Sequence, residues 1–303
     1  MTPAFLASPL PSYLWQVCLH SSIMGLIFYT WVHRVDLPSG RTKRRLLAIL
    51  LVLPLVTAAV PGRTALEFRE RFAWFDSSRV LAIPLVGGLE LSHIVLLVVL
   101  LTAALTIWQE LVPWWRRRAV SDGAAAPDSL ARLASSLPGW ARCRVILNPS
   151  DQIVLATGCR SGQPRLIVSR GAIAQLTPEQ LAIAIAHEHA HWQAGRWWRS
   201  HALFLVRLLQ CYSPVALWAF REYCLEVEIE CDRAAVAGSD PNLLVRALLR
   251  VYESTDGRDA AARSAIRKRV KVLLGGAPDG DALPRATLIA ASALMLVVLP
   301  WIV

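Results

Sequence analysis

The sequence predicts a mainly α-helical, multi-pass membrane protein that carries one polar domain with a small antiparallel β-sheet. Three observations lead there. Hydrophobic residues make up 55% of the 303 and charged residues only 18%, against about 25% charge in ordinary globular chains. Apolar runs of membrane-spanning length occur towards both ends of the chain. Between them, residues 119–284 hold short β-branched segments, helix caps and a cluster of metal-ligating residue types.

The first apolar run, residues 13–33, is long enough to cross a hydrocarbon core of about 30 Å at about 1.5 Å per residue. Arg34, Arg41, Lys43, Arg44 and Arg45 follow it, set against Asp36 alone. The second run, 46–60, is shorter and contains Pro54; neighbouring helices can satisfy the carbonyl that a proline frees, so it also reads as a span. Residues 61–92 form a mixed loop in which Arg63, Arg69, Arg71 and Arg79 are matched by Glu67, Glu70, Asp76 and Glu90. Its apolar part, 80–91, is broken by Pro84, Gly87 and Gly88 and is expected to lie along the membrane surface. A third run, 94–115, ends in Arg116, Arg117 and Arg118, and a fourth, 286–303, closes the chain. The expected division is therefore 1–118 with three spans, 119–284 as the polar domain and 285–303 as the fourth span.

The net charge of +10 is almost all arginine and gathers at the ends of apolar runs. That placement fits the excess of basic residues on cytoplasmic loops, and no direct nucleic-acid binding is expected. The lipid bilayer is the partner the charges imply. Both termini are then expected outside an inner membrane, with the polar domain in the cytoplasm. The N-terminus lacks a basic n-region, so no cleaved signal peptide is expected. Six cysteines lie far apart without a CxxC pair, which argues against a zinc knuckle or a dithiol redox site.

Within the polar domain, segments 144–147, 153–156 and 165–168 read as short strands. Thr177, Pro178 and Gln180 predict a helix start: Thr as N-cap, Pro in the first position, and Gln reaching back to the cap. That helix runs to about Ala194. Another apolar stretch, 201–220, is expected to be buried or membrane-embedded without crossing, and a further helix covers about 221–237.

The capped helix carries His187-Glu188-His189-Ala190-His191. Residues four apart share a helix face, so His187 and His191 present two imidazoles to one metal. Glu188, one step round, reaches a water on that metal and acts as general base. Zinc suits two imidazoles plus a carboxylate. For the third ligand, the segment around Glu226, Glu228, Glu230 and Asp232 offers acids on a later helix. Glu228 and Asp232 share a face: the first as ligand, the second holding a ligand histidine through its other ring nitrogen. Glu226 is the less favoured alternative, and Glu230 points elsewhere. His189, His20, His33, His93 and His201 read as structural. His201, Arg196 and Arg233 are open alternatives for an oxyanion donor. The basic segment Arg263, Arg267, Lys268, Arg269 and Lys271 reads as a membrane-surface helix face.

The segments LTPEQLAIAIAHEHAH (176–191), EIECDRAAV (228–236) and RKRVKVLLG (267–275), together with the order of spans, resemble the BlaR/MecR-type membrane zinc metallopeptidases. The Ste24/HtpX-type membrane peptidases share part of this pattern and are the alternative. The resemblance implies a gluzincin fold in the cytoplasm. In it His187, His191 and Glu228 would hold zinc, Glu188 would be catalytic, and Asp232 would support the site. It further implies a zinc-dependent metalloendopeptidase acting on a protein substrate, in signal transduction that inactivates a BlaI/MecI-like winged-helix repressor. Two departures narrow it. The chain as given stops at Val303, where the receptors continue into a penicillin-binding sensor, and Gly195-Arg196-Trp197-Trp198 stands where an acid often follows the HExxH helix. A peptidase is expected; antibiotic sensing is not. A non-catalytic membrane scaffold is the reading from outside the enzymes, and the oligomeric state, a homodimer included, is left open.

Overall fold

The computed structural model describes residues 10–35, 40–59, 81–112, 124–160, 162–194, 197–254 and 260–275. In chain order these form α1 (Leu10–Val35), α2 (Arg41–Ala59), α3 (Leu91–Thr106), β1 (Ala124–Ala125), α4 (Asp128–Ser135), β2 (Arg144–Asn148), β3 (Leu155–Arg160), β4 (Gln163–Ser169), α5 (Arg170–Gln175), α6 (Pro178–Gln193), α7 (Trp197–Leu208), α8 (Pro214–Ala235), α9 (Pro241–Ser254) and α10 (Ala260–Gly275). They divide into two units. The described residues up to 112 group with 201–223, and those between 124 and 200 group with 224–275.

The first unit is helical. α1 and α2 pack together, and Pro54 lies inside α2. Proline removes one backbone donor and loosens the turn before it. Carbonyls nearby also take donors from side chains: Gln210 Nε2 donates to Leu51 O at 2.7 Å, Tyr13 to Leu55 O at 3.2 Å, and Thr57 to Leu53 O at 3.0 Å. Buried His20 meets Thr57 at 2.8 Å, so this histidine is a structural one. A Cβ on Gly25 would lie 2.6 Å from a Val215 methyl, which marks a close approach between α1 and the start of α8.

Among the described residues, Leu91–Glu110 is the one helix long and apolar enough to cross a membrane. It comprises α3 and part of the π-turn Ile107–Leu111, and it exposes Leu97, Leu100, Leu101, Leu105 and Trp108. The two earlier predicted spans are helices, α1 and α2, but Ser21 and Ser22 interrupt the first, and the first turns of α2 are taken up by Arg41, Lys43, Arg44 and Arg45, ahead of the predicted span. Before α3, Ile83, Leu85, Val86 and Leu89 form an exposed apolar tip, and Glu90 and His93 cap the helix reciprocally. The predicted span 286–303, the cluster Arg116 to Arg118 and loop residues 61–80 lie outside the described residues.

The stretch expected at 201–220 is a helical hairpin rather than one segment. α7 ends at Leu208, the chain turns, and Ser213 with Pro214 starts α8 about seven residues before the predicted helix. Ser213 Oγ accepts from Ala216 N at 3.3 Å, and proline in the first position costs the helix nothing. In this unit Arg207, almost fully buried, pairs through both guanidinium nitrogens with Glu110 at the π-turn.

In the second unit the sheet order is β1-β2-β4-β3. The expected antiparallel sheet is in fact mixed: β3 and β4 pair antiparallel, but β2 runs parallel to β4, with Ile146 opposite Ile167. β4 takes the centre because it is the most buried strand, with Leu166 and Val168 fully covered. The tight turn at Gly162 (φ 77°), where glycine carries no left-handed penalty, commits β3 to one of its edges. β2 takes the other edge. Leu181 and Ile185 of α6 join Trp140, Val145, Leu166 and Val168 in one core, while Ile183 joins Leu244, Leu248 and Leu273 of α9 and α10 in a second. α6 is thus held between the sheet and two helices.

Candidate metal centre

α6 starts as predicted: the Thr177 hydroxyl accepts from Gln180 N at 3.3 Å, and Gln180 Oε1 accepts from Thr177 N at 3.0 Å. With this end fixed and two faces buried, the third face of α6 presents His187 and His191, whose ring centroids are 4.8 Å apart. His189 lies on another face. Its Nε2 is 2.8 Å from Pro138 O, and its ring meets Trp140 edge-on at 5.0 Å and stacks on Trp192. It anchors the helix, consistent with a structural role.

α8 brings Glu228 to the two imidazoles. The three donor atoms form a small triangle: His187 Nε2 to His191 Nε2 3.1 Å, His187 Nε2 to Glu228 Oε2 3.4 Å, and His191 Nε2 to Glu228 Oε1 3.3 Å. Among the described residues this is the one group of three such ligands around a common point. Glu226, the less favoured alternative, is fully buried elsewhere on α8, with Lys268 Nζ 3.9 Å away.

Asp232, one turn after Glu228, places Oδ1 2.9 Å from His187 Nδ1. The carboxylate is within hydrogen-bonding distance and, when ionised, also attracts the ring by charge. It favours a proton on Nδ1 and leaves the Nε2 lone pair facing the Glu228 carboxylate. Two lone-pair-bearing groups 3.4 Å apart repel unless a cation lies between them. Burial alone would lower the His187 pKa, but Asp232 and Glu228 outweigh it and raise it to about 9. Burial would raise the carboxyls of Glu228 and Asp232; the imidazole contacts and the Arg269 guanidinium hold both below the usual carboxylate range, Glu228 well below.

Glu188, next to His187 in α6, has its carboxylate Oε2 2.6 Å from the Thr157 hydroxyl, which also lies 3.1 Å from the Glu188 carbonyl. Thr157 is on β3. β3 pairs with β4 alone among the described strands, so its other edge has no strand beside it there.

Sequence reasoning missed two residues. Thr157 lies one residue beyond the segment 153–156 that reads as a strand, with no motif to mark it. Arg269 was read with its basic neighbours as a membrane-facing residue, yet it forms a two-nitrogen fork on Asp232 at 2.7 and 2.6 Å and lies 3.1 Å from Glu228. The signal was its spacing: Arg269 is three residues after Ile266 and four before buried Leu273, on the inward stripe of α10. Of the oxyanion alternatives, Arg196 lies outside the described residues, His201 belongs to the first unit, and Arg233 is half-buried on α8.

The donor set fits a metal ion. Metal–nitrogen bonds of about 2.0–2.1 Å at tetrahedral angles put neighbouring donors about 3.3 Å apart, which is the size of this triangle. Two imidazoles and one carboxylate are also the ligand number and chemistry of a catalytic zinc site. Comparison with protein-family models and with curated protein sequences finds no match for the chain.

Proposed function

We propose that the protein is a membrane-attached zinc metalloendopeptidase of the BlaR/MecR-like kind, cleaving a protein substrate on the cytoplasmic side. The observation that carries this reading is the triangle of His187, His191 and Glu228, with edges of 3.1–3.4 Å, two of whose members share a helix with Glu188. Zinc held there would lower the pKa of a bound water towards 7 and polarise the scissile carbonyl. The protein's own groups do the rest. Glu188 accepts the water proton and returns it to the leaving amine. The Thr157 hydroxyl donates to one Glu188 oxygen, which fixes the carboxylate plane and leaves the other oxygen for the proton. Among the described strands the outer edge of β3, the strand that carries Thr157, has no partner, and an extended peptide could add there as a further strand.

Attachment to a bilayer is supported by the exposed apolar face of α3 and the apolar tip before it. A winged-helix repressor as substrate follows from the resemblance alone. One observation favours a second reading, a Ste24/HtpX-like quality-control protease: residues 201–223, between His191 and Glu228, group with the apolar helices. The 12 residues of α7 rise about 18 Å, too short for a core of about 30 Å. They form an embedded hairpin in either case.

Two variants test the proposal. Glu188→Ala abolishes cleavage, a fall of at least about 100-fold for loss of a general base, while one zinc per chain remains. His187→Ala loses the zinc. Normal turnover by Glu188→Ala refutes the role of Glu188 as general base, and purified protein without stoichiometric zinc refutes the enzyme reading and leaves the scaffold.

A further inference from the structure

Of the basic residues of α10, Arg263, Arg267 and Lys271 are exposed and Lys268 lies 3.9 Å from the buried Glu226, but Arg269 has a different setting. Its side chain is largely covered and touches two acids at once. Nε and Nη2 bind the two oxygens of Asp232 at 2.7 and 2.6 Å, and Nη1 lies 3.1 Å from Glu228 Oε2. Asp232 in turn contacts His187 Nδ1 at 2.9 Å. One guanidinium from α10 therefore reaches both the group that orients the first imidazole and the carboxylate of the third ligand.

We propose that Arg269 is the positioning residue of the metal site: it locks Asp232 and Glu228 in ligand-ready orientation, so that metal coordination depends on α10 being docked. This rests on the zinc reading above. Arg269 has two opposing effects. Its charge repels a cation and withdraws donor strength from Glu228. Its rigid fork removes rotamer freedom from two carboxylates that a lysine cannot hold in the same way. If charge dominated, removing Arg269 would tighten zinc binding; if positioning dominates, removal weakens it. The sign of the change separates the two.

The test uses the full chain in detergent, with zinc affinity measured by chelator competition and the ligand field by the visible absorption of bound Co²⁺. Arg269→Gln is expected to lose about 10–100-fold in zinc affinity, the usual range for groups that orient a ligand. Its cobalt spectrum shifts while its far-UV circular dichroism is retained. Arg269→Lys keeps the charge without the fork and falls between. Arg267→Gln, an exposed change of the same charge on the same helix, matches the unaltered protein. Zinc binding by Arg269→Gln that is as tight or tighter overturns the positioning role and leaves the site standing. If Arg269→Gln does not fold, full affinity and an unshifted spectrum in Arg269→Lys overturn it. Unaltered protein that takes up no zinc, or keeps it after His187→Ala, overturns the zinc reading and this proposal with it.

Discussion

A proton and a metal ion compete for the same lone pair on His187. With its pKa raised to about 9 by Asp232 and Glu228, the ring is protonated at neutral pH until a cation displaces the proton. Apparent zinc affinity then carries the factor 1/(1 + 10^(pKa − pH)). Between pH 8 and pH 6 that factor falls about 90-fold for a pKa of about 9, and only about 4-fold for an ordinary imidazole at about 6.5. The direction is weaker binding as pH falls. Glu228 stays ionised over the whole interval, because its pKa lies well below the usual range, and so adds nothing to the slope. The measurement is zinc competition against a chromophoric chelator at fixed ionic strength, corrected for the chelator's own protonation. Asp232→Asn supplies the internal control. It removes one of the two acids that raise His187, so its pH dependence becomes shallower. A change below about 5-fold in the unaltered protein, or identical slopes in the two, refutes the electrostatic account of the site.

Three further outcomes follow from the same geometry. Thr157→Val keeps the shape of β3 but takes the donor from Glu188; turnover should drop about 10-fold, worth about 1.4 kcal/mol, with zinc content unchanged by metal analysis. Trp140→Ala empties a fully buried position against His189 and Trp192. It should cost about 3–5 kcal/mol and lower the thermal midpoint by roughly 10 °C. A Cβ on Gly171 would lie 2.1 Å from the Asp151 carbonyl oxygen, a backbone atom that cannot step aside. Gly171→Ala should therefore destabilise by at least about 2 kcal/mol, whereas Gly158→Ala, with open space around it, should be silent in the same melting assay.

What was legible in the sequence was what is local or periodic. The Thr177 cap and the four-residue spacings of His187 with His191, and of Glu228 with Asp232, are written within single helices. One-dimensional spacing therefore foretold which side chains meet. The direction of β2 against β4 was not legible, because strand alternation is the same whichever way a neighbour runs. Nor was the break at 209–213, which composition hides inside a continuous apolar stretch; only Ser213-Pro214 marks it. Arg269 was hidden for a different reason. A run of basic residues reads as one charged face, although a helix turns about 100° per residue and one member of the run must face inward.

Charge adds a constraint that distances alone do not. Glu188, Glu228 and Asp232 bring three negative charges to one half-buried place, and Arg269 returns one positive charge. Two units remain to be neutralised. Protonating both His187 and His191 would balance the sum, but their Nε2 atoms are 3.1 Å apart, and two N–H groups cannot point at each other across that distance. A single proton shared on His187 leaves the site negative, which burial makes costly. A divalent cation at the centre of the triangle would supply both units at once, satisfy both lone pairs and leave each imidazole neutral with its other nitrogen protonated. If the proposed zinc site is right, the contact of Asp232 with His187 and the fork of Arg269 on Asp232 serve one end: they set the charge and the orientation at which a doubly charged ion, rather than protons, would complete the site.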